Sequence, residues 1–228
     1  MNRDAAFDRS VSLLQGAHLA RVVSIADPQS LNRVQVRLLA YDAESGQDAP
    51  LWARVVAPFA GDKRGVFFMP DVDDEVLVVF AGGDARHPLV VGGLWNGRAA
   101  SPAALGSDGN RYKRIRSKNG ITVTLDDQRG KETLTLETPG GQRLTLKDGP
   151  GSVTLEDANG NTVKLEAAGI SIDAQAKVTV HGATVTVNAT SVNVNTPMAT
   201  FSAFVKCQTL ITDSVVSKSY TPGIGNVW

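Results

Sequence analysis

The sequence is poor in the residue types that build disulfide-linked, metal-binding or membrane-spanning structures. Its only cysteine is Cys207, which excludes a disulfide within one chain, and we expect it to be a small buried residue. The three histidines, His18, His87 and His181, are too dispersed to form a recognisable metal site, and we expect His181 to face solvent. Aromatic residues are 6% of the chain. No apolar run approaches the roughly 20 residues that cross a bilayer.

The chain also has no excess of charge of either sign, since 23 Lys and Arg residues balance 23 Asp and Glu residues. A neutral chain has no overall field that favours nucleic acid or an anionic membrane. Charged residues become rare after Ala167, where Thr, Val, Asn, Ser and Ala take over. The N-terminus lacks the apolar core of a signal peptide, so we expect synthesis in the cytoplasm.

The first part of the chain has the pattern of several short strands. They are predicted at residues 18–25, 33–38, 51–56, 75–80 and 88–91. Five or six such strands with turn signals between them predict a small all-β barrel. Residues 3–16 before them predict an amphipathic helix or an arm that orders on a partner. Residues 96–110 have the composition of a linker, and the basic stretch 111–118 is interpreted as a junction.

From Ile121 almost to the C-terminus, apolar residues repeat in pairs with one polar residue between the two members. This alternation is typical of a strand with one buried face. The pairs recur about every ten residues at first and about every seven after Ile170, which indicates a repeat architecture. The residues predicted to face inward are Leu134, Leu136, Leu144, Leu146, Val153, Leu155, Val163, Leu165, Ile170, Ile172, Val178, Val180, Val185, Val187, Val192 and Val194.

One strand and one turn per repeat can cover only one side of a core. Three identical chains around a common axis would cover the other sides and hide the strand edges. Turn residues such as Asn159 and Gly160 also fit hairpins within one chain in the early part of the repeat. The later part has too few turn residues for hairpins and fits an intertwined prism better. We therefore favour a trimer over a monomeric β-sheet.

Motifs within the predicted barrel resemble those of a known family. They are residues 69–80, the turn from Gly82 to Asp84, and residues 87–96, with residues 33–37 in support. Together they resemble the OB-fold domain of phage baseplate assembly protein V and the matching domain of type VI secretion VgrG spikes. Asp73 stands where that family usually has Gly. The resemblance covers most of residues 17–97, and the family places a β-helix after this domain.

The resemblance implies an all-β protein with an N-terminal OB-fold barrel followed by a C-terminal intertwined trimeric β-helix, a β-prism needle. The expected divisions are an arm at 1–16, the OB-fold at 17–97, a linker and junction at 98–118, the needle at 119–218 and a tip at 219–228. The implied function is the central spike at the baseplate of a contractile phage tail, tailocin or related injection system. Such a spike attaches to a separate hub protein through a collar of barrels and pierces the target cell envelope.

The resemblance also bears on the tip. Some spikes of the family hold iron with a His-x-His pair near the C-terminus, and no such pair occurs here, so we expect no metal and no cofactor. The family precedent is then a PAAR-type tip protein seated on the blunt end. The candidate docking residues are Tyr220, Pro222, Ile224, Val227 and Trp228. The same segment folded back to close the trimer core is an equally open alternative.

Two other functions are compatible with these folds. Trimeric β-helices occur in glycan-degrading tail enzymes, which need paired carboxylates in a groove, whereas the acidic residues here lie mostly at strand ends or turns. The cluster from Asp71 to Glu75 is typical of a solvated turn, so no catalytic residue is assigned. An OB-fold also suggests a nucleic-acid-binding module, which needs a basic groove with exposed aromatics. We expect Trp52 and Phe80 to pack inside the barrel and therefore expect no nucleic-acid partner.

Overall fold

A computed structural model of the chain describes residues 15–41, 49–107 and 109–219. Their regular elements are β-strands, as predicted, apart from single 3-10 turns at Leu39–Tyr41 and Ala81–Gly83. They divide into two units between Lys177 and Val178. None of the helical turns in the described ranges is long and apolar enough to span a membrane. The predicted helix at residues 3–16 lies outside the described residues except for its last two positions.

The first unit begins with a barrel. Its strands are β1 (Ala17–Ser24), β2 (Arg33–Leu38), β3 (Leu51–Val55), β6 (Glu75–Phe80) and β7 (Pro88–Leu94), and a short ribbon of β4 (Ala60–Gly61) and β5 (Arg64–Gly65) interrupts the connection after β3. The sheet closes in the order β1-β2-β3-β7-β6. All neighbours are antiparallel except β3 and β7, whose parallel pairing completes the closure. A closed five-stranded barrel of this kind is OB-like, as the sequence predicted.

Valine dominates the interior of this barrel. Alternate residues of each strand point inward, and the fully buried valines are Val22, Val34, Val36, Val76, Val78 and Val90. Burying one such side chain contributes roughly 1.5–3 kcal/mol. Phe80 joins this core as predicted. The prediction for Trp52 was wrong: Ala53 points inward, so Trp52 lies half-buried on the outer face, 5.7 Å below the Arg33 guanidinium.

The barrel is followed by a seven-stranded antiparallel sheet. Its strands are β8 (Tyr112–Arg116), β9 (Thr122–Asp126), β10 (Thr133–Glu137), β11 (Arg143–Lys147), β12 (Ser152–Glu156), β13 (Thr162–Glu166) and β14 (Gly169–Asp173). Each strand pairs with its neighbour in sequence, so the sheet is a meander of hairpins. Of the two arrangements left open for this region, the chain adopts hairpins. The stretch interpreted as a basic junction contributes a strand, β8, at the edge of the sheet.

The hairpin turns stack on one another along each side of the sheet. Gly141 has a φ of 87°, a left-handed conformation that favours glycine. A side-chain carbon on Gly141 would lie 3.3 Å from Cβ of Ala158 in the next turn on the same side. In the same way, a side-chain carbon on Gly120 would lie 3.2 Å from Pro139. Successive turns therefore touch and form a continuous column.

The second unit differs from the first. Residues 178–219 form no strand and no helix, and all of their side chains are exposed. His181 is exposed as expected. Cys207 is also exposed, so the expectation that it is buried was wrong for the single chain, because no layer formed by the described residues covers this segment.

Candidate functional site

One face of the meander is continuously apolar. In the β10–β11 pair Leu134 lies opposite Leu146 and Leu136 opposite Leu144, and the same matching continues from β9 to β14. The apolar pairs thus form two parallel rows across the strands, which we call the apolar face. One row comprises Leu125, Leu134, Leu146, Val153, Leu165 and Ile170, and the other comprises Val123, Leu136, Leu144, Leu155, Val163 and Ile172.

The opposite face of the sheet is polar. Its central row is formed largely by threonines, and Thr135 pairs with Thr124 on one side and Thr145 on the other. Threonine suits a strand that faces water, because it combines a β-branched side chain with a hydroxyl group. The two faces therefore differ strongly in polarity, as in a sheet that is covered on one side only.

The apolar face has no cover within the described chain. Leu155 is 52% exposed and Leu136 is 39% exposed, although both lie in central strands. Monomeric proteins rarely expose contiguous apolar patches of more than a few hundred Å². The two rows of Leu, Val and Ile therefore make this sheet the candidate association surface of the described residues.

Charged side chains lie along the sides of the sheet. The Arg143 guanidinium contacts the carboxylates of both Glu137 (2.6 Å) and Glu156 (3.8 Å), one strand away on either side. The Glu137 hydrogen bond raises the pKa of Arg143. At the opposite ends of the strands, Arg111 pairs with Asp126. This hydrogen bond lowers the pKa of the Asp126 carboxyl.

The structure brings together ten of the residues predicted to face inward. They are the members of the apolar face from Leu134 to Ile172. The other six, Val178, Val180, Val185, Val187, Val192 and Val194, lie in the second unit and are 57–71% exposed. That these sixteen residues form a trimer core remains a prediction. The predicted tip residues, Tyr220, Pro222, Ile224, Val227 and Trp228, lie outside the described residues.

The barrel carries a second exposed apolar surface that sequence reasoning did not identify. Phe59, Phe67 and Phe68 are each more than half exposed and flank the β4–β5 ribbon. The turn of this ribbon consists of Asp62 and Lys63, and Arg64 begins β5. We call this surface the aromatic loop. The sequence did contain a sign of this exposure. Phe67 and Phe68 lie in a short segment between Gly65 and Pro70 that has no strand alternation, so no barrel strand would bury them.

The acidic cluster before β6 forms a turn. The Asp74 carboxylate accepts a hydrogen bond from the backbone N–H of Asp71 at 2.8 Å, and the Asp73 N–H donates to Val22 O. Asp73 has a φ of 74°, a conformation that favours glycine, and it occupies the position at which the resembling family usually has Gly. Across the described ranges no three His, Cys, Asp or Glu side chains are placed to hold a metal ion.

Comparison with known proteins agrees with these two parts of the chain. Residues 18–95 match the model of the type VI secretion system/phage-baseplate injector OB domain. Residues 133–197 match the model of the phage baseplate V C-terminal trimerisation domain. Together the two models cover more than half of the chain, and the second spans β10 to β14 of the sheet and the start of the second unit.

Curated relatives are type VI secretion system spike proteins. VgrG1c of Pseudomonas aeruginosa is 25% identical over 112 residues, which are 46% of this chain and 15% of the relative. VgrG1a of the same organism is 28% identical over 98 residues, or 40% of this chain and 15% of the relative. VgrG3 of Vibrio cholerae is 26% identical over 98 residues, or 41% of this chain and 10% of the relative. The match thus spans only a small part of these longer proteins. With both domain models matched in order along one chain, the protein belongs to the family of baseplate V and VgrG-like spike proteins.

Proposed function

We propose that the chain forms the central spike of a contractile injection machine, in which three copies build a rigid needle below a collar of barrels. The observation that carries this proposal is the uncovered apolar face. A face of this kind needs a cover, and three copies around one axis can turn their apolar faces toward each other. The match to a trimerisation domain over the same residues supports a homotrimer.

The second unit supports the same assembly. Its apolar pairs keep the two-residue alternation of strands, but residues 178–219 make no strand within the described chain. Backbone N–H and C=O groups of such a segment need partners, and neighbouring copies supply them if the three chains wind around each other. The divisions at 17–97, 98–118, 119–218 and 219–228 then correspond to collar, junction, needle and tip.

The proposed activity is mechanical rather than enzymatic. Contraction of a sheath drives the tube and spike forward, and the needle concentrates the force on a small area of the target envelope. Packed Val, Leu and Ile side chains inside three hydrogen-bonded sheets provide the stiffness that this task requires. The particle is assembled from chains made in the bacterial cytoplasm.

We further propose that the aromatic loop is the part of the collar that binds a separate hub protein. It presents Phe67 and Phe68, which are 69% and 70% exposed, beside Lys63 and Arg64. Aromatic residues are enriched at the centres of protein interfaces. Lys63 and Arg64 outnumber the neighbouring Asp62, and this excess of positive charge favours an acidic partner. Changing both Phe67 and Phe68 to Ser should leave the trimer intact and remove the chain from purified particles. Leu105→Ser, at a position 80% exposed outside the loop, is the control and should be incorporated normally.

The far end of the needle is proposed to bind a PAAR-type tip protein through the segment that contains Tyr220, Pro222, Ile224, Val227 and Trp228. The support is the sequence alone: three copies of this apolar segment would meet at one end of a trimeric needle.

The mass of the purified protein in solution tests the proposal. Light scattering should give three times the mass of the 24.1 kDa chain, and the trimer should survive brief exposure to SDS. A monomer would leave the apolar face without its cover and would contradict the spike. A trimer that dissociates at once in SDS would support association through the apolar face but not the intertwined second unit.

A further inference from the structure

The strand ends of the meander carry two distinct rows of side chains on the polar face. The residues at one side, which we call the first margin, are Asp126, Thr133, Lys147, Ser152 and Glu166. The residues at the other side, the second margin, are Thr122, Glu137, Arg143, Glu156, Thr162 and Asp173. Each row runs across the strands, so each copy has two different sides.

The second margin carries an excess of negative charge at its centre. Glu137 and Glu156 share the single guanidinium of Arg143, at 2.6 Å and 3.8 Å. Two carboxylates and one guanidinium leave a net charge of about −1 at neutral pH. This group of three side chains spans β10, β11 and β12 and is partly exposed.

The first margin carries a cation at the same level. Lys147 is the last residue of β11, and its side chain is exposed and makes no hydrogen bond or ion pair with any residue that the structure describes. Arg143 begins the same strand, so Lys147 lies four residues from the acidic group along the strand, or roughly 13 Å. Contact between Lys147 and Glu137 or Glu156 within one copy is therefore out of reach.

Closure of three copies brings the two margins together. This step rests on the proposed trimer. In a ring with three-fold symmetry each contact joins two different surfaces, so the first margin of one copy meets the second margin of the next. Rotation about an axis adds no shift along it, and β11 of one copy therefore lies level with β11 of its neighbour.

We propose that Lys147 of each copy forms an ion pair with Glu137 or Glu156 of the next copy, repeated at the three corners of the needle. The Lys147 ammonium then meets the acidic group at its own level. The hairpin turns on either side stack into continuous columns, which support the two margins along their length. Opposite charges at these corners favour this level arrangement over a staggered association of the copies, which an apolar face of repeated Leu and Val would disfavour only weakly.

A zero-length carbodiimide cross-link tests this contact in the full chain. The reagent joins an amine to a carboxylate only where the two groups touch. The wild type should give a covalent trimer on a denaturing gel, and peptide mapping should join Lys147 to Glu137 or Glu156. The matched control is Lys147→Arg, which keeps the positive charge but has no primary amine. This variant should remain a trimer by light scattering and lose the mapped cross-link.

The result separates this contact from the trimer itself. A trimer in which Lys147 couples to neither Glu137 nor Glu156, or in which Lys147→Arg keeps the same cross-linked peptides, would overturn the proposed corner contact and leave the spike proposal standing. A protein that is not a trimer by light scattering would overturn both.

Discussion

Leu144 lies directly opposite Leu155 in the β11–β12 hairpin, while the next residue, Thr145, lies opposite Thr154 on the other face. Two neighbouring residues of one strand thus belong to an apolar and a polar surface. Leu144→Asp would place three carboxylates in the proposed needle core, where an unpaired buried charge costs roughly 3–5 kcal/mol. We expect this variant to lose the trimer.

Thr145→Asp is the matched control, because it puts the same charge in the same strand on the polar face. It should remain a trimer and lose no more than about 1 kcal/mol through lower β-propensity. Light scattering and thermal unfolding of both variants provide the measurement. A trimeric Leu144→Asp protein with unchanged melting would show that the apolar face is not the interface.

The second unit allows an independent test at Val185. Val185→Asp should also abolish the trimer, because three like charges would meet at the axis without a partner. Thr186→Asp, one residue further along and of the opposite phase, should be tolerated. If instead Thr186→Asp dissociates the trimer and Val185→Asp does not, then Thr186 faces the trimer axis and Val185 faces outward, and the inward assignment is wrong.

Two adjacent valines of β7 differ sharply in how far their side chains are exposed. Val90 is 1% exposed and Val91 is 46% exposed. Val90→Ala should lower the free energy of barrel unfolding by about 2 kcal/mol, because it removes buried methyl groups and leaves a cavity. Val91→Ala should change it by no more than about 0.5 kcal/mol. Denaturant unfolding followed by fluorescence measures both, and equal effects would contradict the inward phase of β7.

The carboxylate of Asp157, in the β12–β13 turn, should make the stability of the fold depend on pH. Its carboxylate accepts hydrogen bonds from the side chain of Asn161 (2.7 Å) and from the backbone N–H groups of Asn161 and Asn159 (both 2.9 Å). These bonds lower the pKa of Asp157 to about 2. Since the unfolded chain has a carboxyl pKa of about 4, the ionised group stabilises the fold above that pH, and this contribution is lost as pH falls from about 4 to about 2.

The variant for this test is Asp157→Ala. It should melt at a lower temperature than the wild type near neutral pH, and the difference should shrink as the pH falls toward 2. Asp148→Ala is the control, because this turn carboxylate accepts no hydrogen bond from the described residues. A difference between Asp157→Ala and the wild type that persists unchanged at pH 2 would show that the carboxylate does not act through its ionised form.

Much of the barrel can be predicted from the alternation of apolar and polar residues in its strands. The predicted bounds of β2 and β6 agree with the structure, because alternation in these strands is regular and turn residues flank them. β7 continues to Leu94, three residues beyond its prediction, since Gly92 and Gly93 have no side chains to show a phase. Trp52 was misplaced because aromatic character alone does not tell which face of a strand is inside. The outward phase follows from its neighbour Ala53.

The apolar face and the charged residues beside it could be predicted only in part from the sequence. The apolar pairs identified the residues of the face, but only the register shows that Leu134 and Leu146 are direct partners. The pairing of Arg143 with two carboxylates depends on strand alignment, which residue spacing does not determine. The β8 strand was missed because its Lys and Arg residues hide the alternation, although charged residues are common on edge strands.

The sequential pairing of the meander also determines the order in which the molecule can fold. Each hairpin closes a loop of only a few residues, and hairpins of this kind form within roughly 1–10 μs. The sheet therefore needs no other copy to acquire its strands, whereas residues 178–219 find no pairing partner among the residues that the structure describes. In the proposed trimer, chain encounter is then a later, concentration-dependent event that acts on prefolded sheets. Dilution should consequently delay the completion of the second unit without slowing the first.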